Sequence, residues 1–285
     1  MLEIFNYLSQ KLEILEFHNI LEFKMKNSDE IDYKSLVDLA QIFYCKMLTP
    51  IVLDDDIKIR FKKLDINNSF HTNISSENIE NKYGDNSIFS TINKNNQPAF
   101  LLHYLKALEN VKVDNRIRIL NLGVNSGEEF DVIKQYSSNF SNLELVGVDY
   151  CSSAIGKAKE NFDDKNITFL QGDINKLEDL NLGKFDLIIT IGTLQSSNID
   201  FNKSFMNIVQ NYLNKDGAMI IGFPNCRWID GEMIYGAMAK NYNFSEMSVL
   251  YKDVNFCKKY LQQKKFRVTI TGKDYIFLTA TSIRK

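Results

Sequence analysis

The sequence has few of the residues that build covalently or metal-stabilised scaffolds: 285 residues include four cysteines, three histidines and three prolines. The cysteines (Cys45, Cys151, Cys226 and Cys257) lie far apart without metal-like pairing, and the histidines are equally dispersed. This pattern excludes a disulfide-rich scaffold. It predicts reduced thiols in a cytoplasmic protein, and no metal site.

The chain also lacks long apolar runs and an excess of basic charge. No stretch approaches the roughly 20 apolar residues that cross a bilayer. The first residues carry acids among apolar side chains, unlike the basic start of a signal peptide. With 34 basic and 36 acidic side chains the net charge is −2, so there is no strong nucleic-acid signal and we expect no membrane partner. The apolar fraction of 44% is that of a soluble globular protein with a sizeable core.

Three segments differ in pattern. Residues 1–64 show helical periodicity, which predicts an N-terminal helical segment that packs on itself or on the main domain. Residues 65–97 are polar and asparagine-rich, as in a linker or lid. In residues 98–285 strands alternate with helices, which predicts a mostly parallel sheet covered on both faces.

The alternating region begins with a helix that has Pro98 in its first turn. The predicted strands are Ile117–Leu122, Leu143–Val148, Ile167–Leu170, Phe185–Ile191 and Ala218–Phe223. The predicted helices between them are Gly127–Tyr136, Ser152–Asn161 and Phe201–Leu213. The C-terminal stretch FRVTITGKDYIFLTAT predicts an antiparallel hairpin, which is a departure from a dinucleotide-binding fold.

The segment IRILNLGVNSGEEF, residues 117–130, is typical of a strand, a glycine-containing loop and a helix that open a nucleotide-binding site. The dinucleotide pattern G-x-G-x-x-G is absent. A pyrophosphate would lie at the helix N-terminus, where Glu128 and Glu129 would repel it. The loop is therefore predicted to bind a ligand without phosphate, which disfavours a nicotinamide dehydrogenase.

Two further acids follow predicted strands at positions that suit a nucleoside. Asp149 lies about 22 residues after the loop, where a carboxylate can accept both ribose hydroxyls. Asp173 can accept from an adenine amino group, with Ile174 against the ring. Ribose, adenine and no phosphate indicate S-adenosylmethionine. The alternatives are a helix N-cap for Asp149, with Ser152 as the competing cap, and an ordinary turn acid for Asp173.

In their order and spacing, these motifs resemble class I S-adenosylmethionine-dependent methyltransferases over residues from about 97 to the C-terminus. The family motif E/D-x-G-x-G-x-G is matched by NLGVNSG, and the fourth strand of the family by KFDLIITIGTLQ. The resemblance implies a Rossmann-like α/β fold with a mostly parallel seven-stranded sheet and a C-terminal antiparallel hairpin. It implies S-adenosylmethionine as cofactor and the following cofactor-binding residues: Asn121, Leu122, Gly123, Asn125, Gly127, Asp149, Tyr150, Asp173, Ile174, Thr190, Ile191 and Gly192.

Two residues depart from the family motif. Asn121 replaces the acid that faces the cofactor's ammonium group, so a hydrogen bond survives without charge assistance. Asn125 replaces a glycine, and asparagine tolerates a positive φ. These departures leave open a non-catalytic S-adenosylmethionine-binding subunit. The stretch TIGTLQ lacks the N/D-P-P-Y/F/W motif of enzymes that methylate adenine or protein glutamine, and it lacks the acid of aminopropyl transferases.

The connection at about 224–265 is long and aromatic, which predicts a substrate-side insertion. With the N-terminal helices and the asparagine-rich stretch, it is expected to enclose a small acceptor. The candidate acceptor contacts are Arg227, Trp228, Glu232, Tyr235 and Tyr242. Arg227 can pair with an acceptor carboxylate, and Glu232 or a tyrosine can take a proton. The alternative is a helical excursion whose aromatic residues pack into the core.

We therefore predict an enzyme that methylates an oxygen or nitrogen of a small-molecule acceptor, with a protein or RNA acceptor as the alternative. The sequence identifies no catalytic residue. The cofactor is intrinsically activated, so the enzyme mainly aligns and desolvates the nucleophile, and a base is needed only if the acceptor must lose a proton. The sequence leaves four points open: the acceptor, the methylated atom, the use of a base and the oligomeric state. A homo-oligomer is among the oligomeric states that stay open.

Overall fold

The computed structural model describes five stretches of the chain: residues 2–27, 31–68, 93–196, 198–236 and 247–284. The chain divides into two compact units, Met1–Ile74 with Arg227–Tyr235, and Ser75–Cys226 with Gly236–Lys285. Among the described residues, no helix combines the length and the apolar character needed to cross a membrane.

Both units contain α-helices and β-strands. In chain order, the helices of the described residues are α1 (Leu2–Glu13), α2 (Tyr33–Ile42), α3 (Pro98–Asn110), α4 (Glu128–Tyr136), α5 (Ser152–Asn161), α6 (Phe201–Asn207) and α7 (Met247–Gln263). The strands are β1 (Ile20–Lys26), β2 (Cys45–Leu53), β3 (Asp56–Lys63), β4 (Arg118–Leu122), β5 (Glu144–Asp149), β6 (Ile167–Gln171), β7 (Phe185–Ile191), β8 (Leu213–Pro224), β9 (Cys226–Ile229), β10 (Glu232–Tyr235), β11 (Phe266–Gly272) and β12 (Tyr275–Ser282).

The larger unit is built on a seven-stranded sheet with the order β11-β12-β8-β7-β4-β5-β6. Strands β4 to β8 pair in parallel, whereas β12 is antiparallel to both β8 and β11. The predicted parallel sheet with a terminal hairpin is therefore confirmed. The strand order reverses at β4, between β5 and β7, and open α/β sheets bind ligands at the carboxyl ends of the strands at such a point.

The central strands are apolar because helices cover both faces of the sheet. In β7 all residues but one are buried, and in α7 the side chains of Cys257 and Leu261 have no exposed surface. Both α7 residues belong to the main core cluster of the larger unit. The helical end of the predicted 224–265 insertion is thus part of the fold itself, and residues 237–246 lie outside the described residues.

The smaller unit corrects the prediction for residues 1–64. Helices α1 and α2 are present, but β1, β2 and β3 form an antiparallel sheet with the order β1-β3-β2, so a purely helical segment is wrong. Along β3, the buried residues Ile57, Ile59 and Phe61 alternate with half-exposed ones, which is the period of two of a strand with one covered face. Apolar and charged residues alternate in DIKIRFKK, which is the pattern of a strand, but the prediction for this segment followed the helical periodicity of residues 2–47.

Strands β9 and β10 form a two-stranded sheet. Ile229 and Ile234 of this hairpin pack with Leu64 in a small buried cluster. Most of the hairpin thus belongs to the smaller unit, although it follows β8 of the larger unit in sequence.

The predicted linker or lid at 65–97 is described only at its ends, because residues 69–92 lie outside the described residues. At its C-terminal end, residues 94–96 form one turn of 3₁₀-helix, and the side chain of Lys94 is buried. This end therefore packs within the larger unit, and the lid itself stays a prediction.

Candidate functional site

The loop after β4 is left-handed at three positions, with φ of +77° at Gly123, +47° at Asn125 and +94° at Gly127. A Cβ atom on Gly123 would lie 2.1 Å from Oγ1 of Thr193, and one on Gly127 would lie 2.5 Å from Cε2 of Phe162. Close packing and backbone conformation therefore both require glycine at these two positions. Asn125 adopts the positive φ that its residue type tolerates.

Asp149, at the carboxyl end of β5, joins that strand to the loop. Its Oδ2 accepts the backbone N–H of Asn125 at 2.9 Å, and its Oδ1 accepts that of Cys151 at 3.0 Å. The N-cap of α5 is Cys151, which makes no side-chain cap bond. Burial raises the pKa of the Asp149 carboxyl, while the two backbone bonds oppose this shift. The carboxylate keeps free lone pairs for further hydrogen bonds, and the adjacent Tyr150 is exposed.

The end of β7 lies against the end of β4. Oγ1 of Thr193 donates to the carbonyl of Leu122 at 3.0 Å, and Gly192 is left-handed with φ of +74°. Oγ1 of Thr190 and both amide atoms of Gln195 are buried without a hydrogen-bond partner among the described residues. Buried polar groups normally have partners, so these atoms favour a ligand that supplies them. The sequence analysis did not predict Gln195 as a site residue, because nothing in the sequence distinguishes it from an ordinary loop residue.

Asp173 follows β6 as predicted, but its described partners are local. Its Oδ1 accepts the backbone N–H of Asn175 at 2.8 Å and the side-chain amide of the same residue at 3.0 Å. It thereby caps the short 3₁₀-helix Ile174–Leu180. This is the behaviour of a turn acid. The contacts that Asp173 and the buried Ile174 would make with adenine stay a prediction.

A buried ion pair flanks the loop. Nζ of Lys94 lies 2.8 Å from Oε1 of Glu129, and their side chains are 9% and 2% exposed. Nδ2 of the buried Asn121 donates to the other oxygen, Oε2, at 3.3 Å, and the hydroxyl of Tyr104 donates to the backbone carbonyl of Glu129 at 3.3 Å. Burial by itself would lower the pKa of Lys94, but the surrounding acidic groups, Glu129 foremost, more than offset this and raise it. No pattern in the sequence indicated this long-range pair.

Glu128, at the start of α4, is also partly buried. Its Oε1 accepts from Oγ of Ser126 at 2.7 Å and from Nδ2 of Asn125 at 3.3 Å, while Oε2 has no described partner. Burial, and then repulsion from Glu129, raise the pKa of this carboxyl. The helix terminus thus presents carboxylates where a pyrophosphate would need free N–H groups.

Two of the candidate acceptor contacts are paired within the smaller unit. Nη2 of Arg227 donates to the hydroxyl of Tyr44 at 3.1 Å, and its guanidinium lies 5.2 Å from the centre of that ring. Glu232 forms an ion pair with Lys46. Both side chains therefore have structural partners, and their part in binding an acceptor stays a prediction.

The other acceptor candidates differ in exposure. Trp228 is buried, whereas Tyr235 is 44% exposed. Tyr242 lies outside the described residues. Within the described part of the chain, no group of three or more His, Cys, Asp or Glu residues could hold a metal ion.

Comparison with known proteins shows what this chain is similar to. A family model described as "Methyltransferase domain" matches residues 114–272. The plantazolicin methyltransferase BpumL in complex with SAH is 14% identical, with a TM-score of 0.50 over 69% of this chain and 89% of that chain. No curated protein matches the chain significantly.

Two further solved structures have lower TM-scores. Precorrin-6y C5,15-methyltransferase from Geobacter metallireducens GS-15 is 12% identical, with a TM-score of 0.42 over 63% of this chain and 87% of that chain. Ribosomal protein L11 methylase from Lactobacillus delbrueckii subsp. bulgaricus is 16% identical, with a TM-score of 0.42 over 64% of this chain and 77% of that chain.

Proposed function

Because the chain belongs to the methyltransferase-domain family, we propose that it methylates an oxygen or nitrogen atom of a small-molecule acceptor. It is an S-adenosylmethionine-dependent methyltransferase, and S-adenosylmethionine is its cofactor. The acceptor class and the roles of individual residues are the parts that we propose.

The observation that carries the proposed cofactor site is the Asp149 carboxylate at the end of β5. It is bonded to the glycine loop through the N–H of Asn125 and retains lone pairs for a ribose diol. It also lies at the carboxyl edge of the sheet, beside the point where the strand order reverses. We therefore propose that Asp149 binds the ribose. We also propose that the backbone of the loop from Gly123 to Gly127 lines one side of the cofactor.

The charges around the loop support a cationic ligand without phosphate. Three carboxylates, those of Glu128, Glu129 and Asp149, surround the loop, and the one ammonium described among them is that of Lys94. S-adenosylmethionine supplies a methyl group on a positively charged sulfur, so the excess of negative charge favours it electrostatically. A pyrophosphate would be repelled by the same groups.

The chain's own residues suit alignment rather than acid-base chemistry. Thr193 ties the end of β7 to the end of β4, and the unpaired polar atoms of Thr190 and Gln195 lie in the same part of the sheet edge. The Gln195 amide offers a donor and an acceptor, which can orient a polar acceptor. Orientation of the acceptor supplies much of what such a transfer needs, and we assign this task to Gln195.

The acceptor class is tested with S-adenosylmethionine that carries an isotopically labelled methyl group. The enzyme is incubated separately with a low-molecular-weight extract, a protein fraction and total RNA, and the label is located by mass spectrometry. We expect label in the low-molecular-weight pool, and none with Asp149→Ala. Label confined to protein or RNA would contradict the proposed acceptor class while leaving the enzyme class intact.

A protein acceptor is the second candidate because of the smaller unit. Strand β2 is an edge strand of its sheet, and Ile51, Val52 and Leu53 on it are 41%, 63% and 37% exposed. An edge strand with exposed apolar side chains can pair with an extended peptide. Label in the protein fraction, lost when Val52 is replaced by lysine, would favour this candidate over a small molecule.

A further inference from the structure

A pocket of about 360 Å³ lies at the edge of the seven-stranded sheet opposite the glycine loop. Lys184 comes directly before β7, and Leu213 and Asn214 open β8, so these lining residues lie at the amino ends of parallel strands. Phe266, which opens β11, pairs with Ser282 at the end of β12. Because β7 has seven residues, each about 3.3 Å long, this edge lies roughly 20 Å from the carboxyl edge. The pocket is therefore separate from the proposed cofactor site.

All charged side chains that line this pocket are basic. Its described lining residues include no aspartate or glutamate, and its cations are Lys184, Lys215, Lys264 and Arg284. These four residues are exposed to solvent, and within the described part of the chain none of them forms an ion pair. A concave surface lined by charges of one sign concentrates the field and attracts the opposite charge. This basic pocket is thus suited to an anion.

Two acids, Asp186 and Asp216, lie next to lining residues in sequence. Both act on Arg116, where their charges partly offset the lowering of its pKa by burial. Oδ1 of Asp186 accepts from Nδ2 of Asn214 at 2.8 Å, and its Oδ2 accepts two backbone N–H groups beside the start of β4, at 3.2 and 3.0 Å. The oxygens of Asp186 are therefore bonded to groups other than the four cations of the basic pocket.

Stabilisation of backbone carbonyls explains only part of the basic charge. Nη2 of Arg284 donates to the carbonyl of Lys264, directly after α7, at 2.6 Å, and Nη1 donates to that of Lys215 at 2.8 Å. Nζ of Lys184 lies 3.5 Å from the carbonyl of Gln210. Such contacts are typical of basic side chains near helix C-termini. The ammonium group of Lys215 has no hydrogen bond among the described residues, and that of Lys264 contacts only an aromatic ring, at 5.5 Å.

The size of the basic pocket favours a small ligand. Small-molecule sites have volumes of about 300–1,000 Å³, and buried apolar side chains, those of Val209, Leu213 and Phe266, line part of this one. A nucleic acid would need an extended basic surface, and the net charge of the chain is −2. Phosphate groups carry several negative charges in a small volume, and lysine and arginine bind them through charge-assisted hydrogen bonds.

We propose that the basic pocket binds a small ligand that carries two or more phosphate groups. Lys215 and Lys264 supply the main contacts, because their ammonium groups are free of backbone carbonyls. Arg284 is fixed by its two carbonyl bonds and adds charge at the side of the pocket. The two edges of the sheet thus differ in chemistry, since carboxylates surround the glycine loop and cations line the basic pocket. This inference is independent of the proposed acceptor.

The test uses tripolyphosphate as the probe, titrated calorimetrically at low salt and without divalent cations. The proteins are the wild type, Lys215→Met/Lys264→Met and the control Lys157→Met/Lys159→Met, which removes two exposed lysines from α5. We expect one bound tripolyphosphate in the wild type and an affinity about tenfold or more lower in the pocket variant, the loss expected for charge-assisted hydrogen bonds. The control should stay within about twofold of the wild type, because it loses the same charge elsewhere.

A second set of titrations separates the basic pocket from the cofactor site. Asp149→Ala should bind tripolyphosphate as the wild type does, and S-adenosylhomocysteine should not displace it. Displacement would place the phosphates at the glycine loop and overturn the proposal.

Three other results would also contradict the proposal. A wild type that does not bind tripolyphosphate has no such site, and equal losses in the two double variants would mean that only overall charge matters. A single-stranded RNA that binds through Lys215 and Lys264 where tripolyphosphate does not would make this edge a nucleic-acid surface. None of these results bears on the cofactor.

Discussion

Asp149 combines two opposing influences on its protonation. Burial raises the pKa of its carboxyl above the usual value of 3.8, and the N–H groups of Cys151 and Asn125 lower it, with burial the larger effect. The folded protein therefore holds the proton at a higher pH than an exposed aspartate would. A ribose diol donates to the ionised form, so proton and ligand compete for the same oxygens.

The expected consequence is loss of nucleoside binding on mild acidification. As the pH falls through the raised pKa, the carboxylate is protonated and the affinity for 5′-methylthioadenosine should decline. The decline should begin at a higher pH than it would if the carboxyl had its usual pKa of 3.8. Asp149→Asn should bind weakly, without this decline. The measurement is a series of titrations from pH 7 downward, within the range where circular dichroism shows the fold intact. A wild-type affinity that is flat over this range would contradict the ribose role.

At the scale of elements, the loop between β4 and α4 depends on its contact with the end of β7. Gly123 has φ of +77°, and a Cβ on it would overlap Oγ1, Cγ2 and Cβ of Thr193. Alanine there should strain the backbone and push the two strand ends apart, at a cost of roughly 1–3 kcal/mol in the free energy of unfolding. Because the same loop faces the proposed ligand, cofactor affinity should fall as well.

Gly156 provides the matched control for Gly123→Ala. It lies within α5, and a Cβ there would meet no atom within 4 Å. Gly156→Ala should therefore leave cofactor affinity unchanged and stabilise the protein by about 0.5–1 kcal/mol, the helix preference of alanine over glycine. Chemical denaturation and calorimetry measure both effects. Equal behaviour of the two variants would show that the close contact at Gly123 has no role in the site.

The elements that could be predicted from the sequence are those with a strong, continuous pattern. The strands FDLIITI and AMIIGF are buried on both faces and read as apolar runs, and the acids Asp149 and Asp173 stand directly after strands. In β1 and β3 of the smaller unit more buried and less buried residues alternate, so no continuous apolar run marks these strands in the sequence. The partner of Glu129 could not be found in advance, because Lys94 is brought to it by the packing of a segment 35 residues away.

Over the whole molecule, charge is nearly balanced but unevenly placed. The net charge is −2, yet three carboxylates and one ammonium surround the loop after β4. The smaller unit contributes none of these groups, since all of them belong to the larger unit. The charges that we propose around the cofactor therefore all come from the larger unit.

The most direct test of the cofactor site is calorimetric titration with S-adenosylmethionine, S-adenosylhomocysteine and NAD in parallel, on the wild type and on Asp149→Ala. We predict binding of the first two in the micromolar range, no detectable binding of NAD, and loss of binding in the variant. Binding of NAD alone, or wild-type affinity for S-adenosylmethionine in Asp149→Ala, would contradict the account.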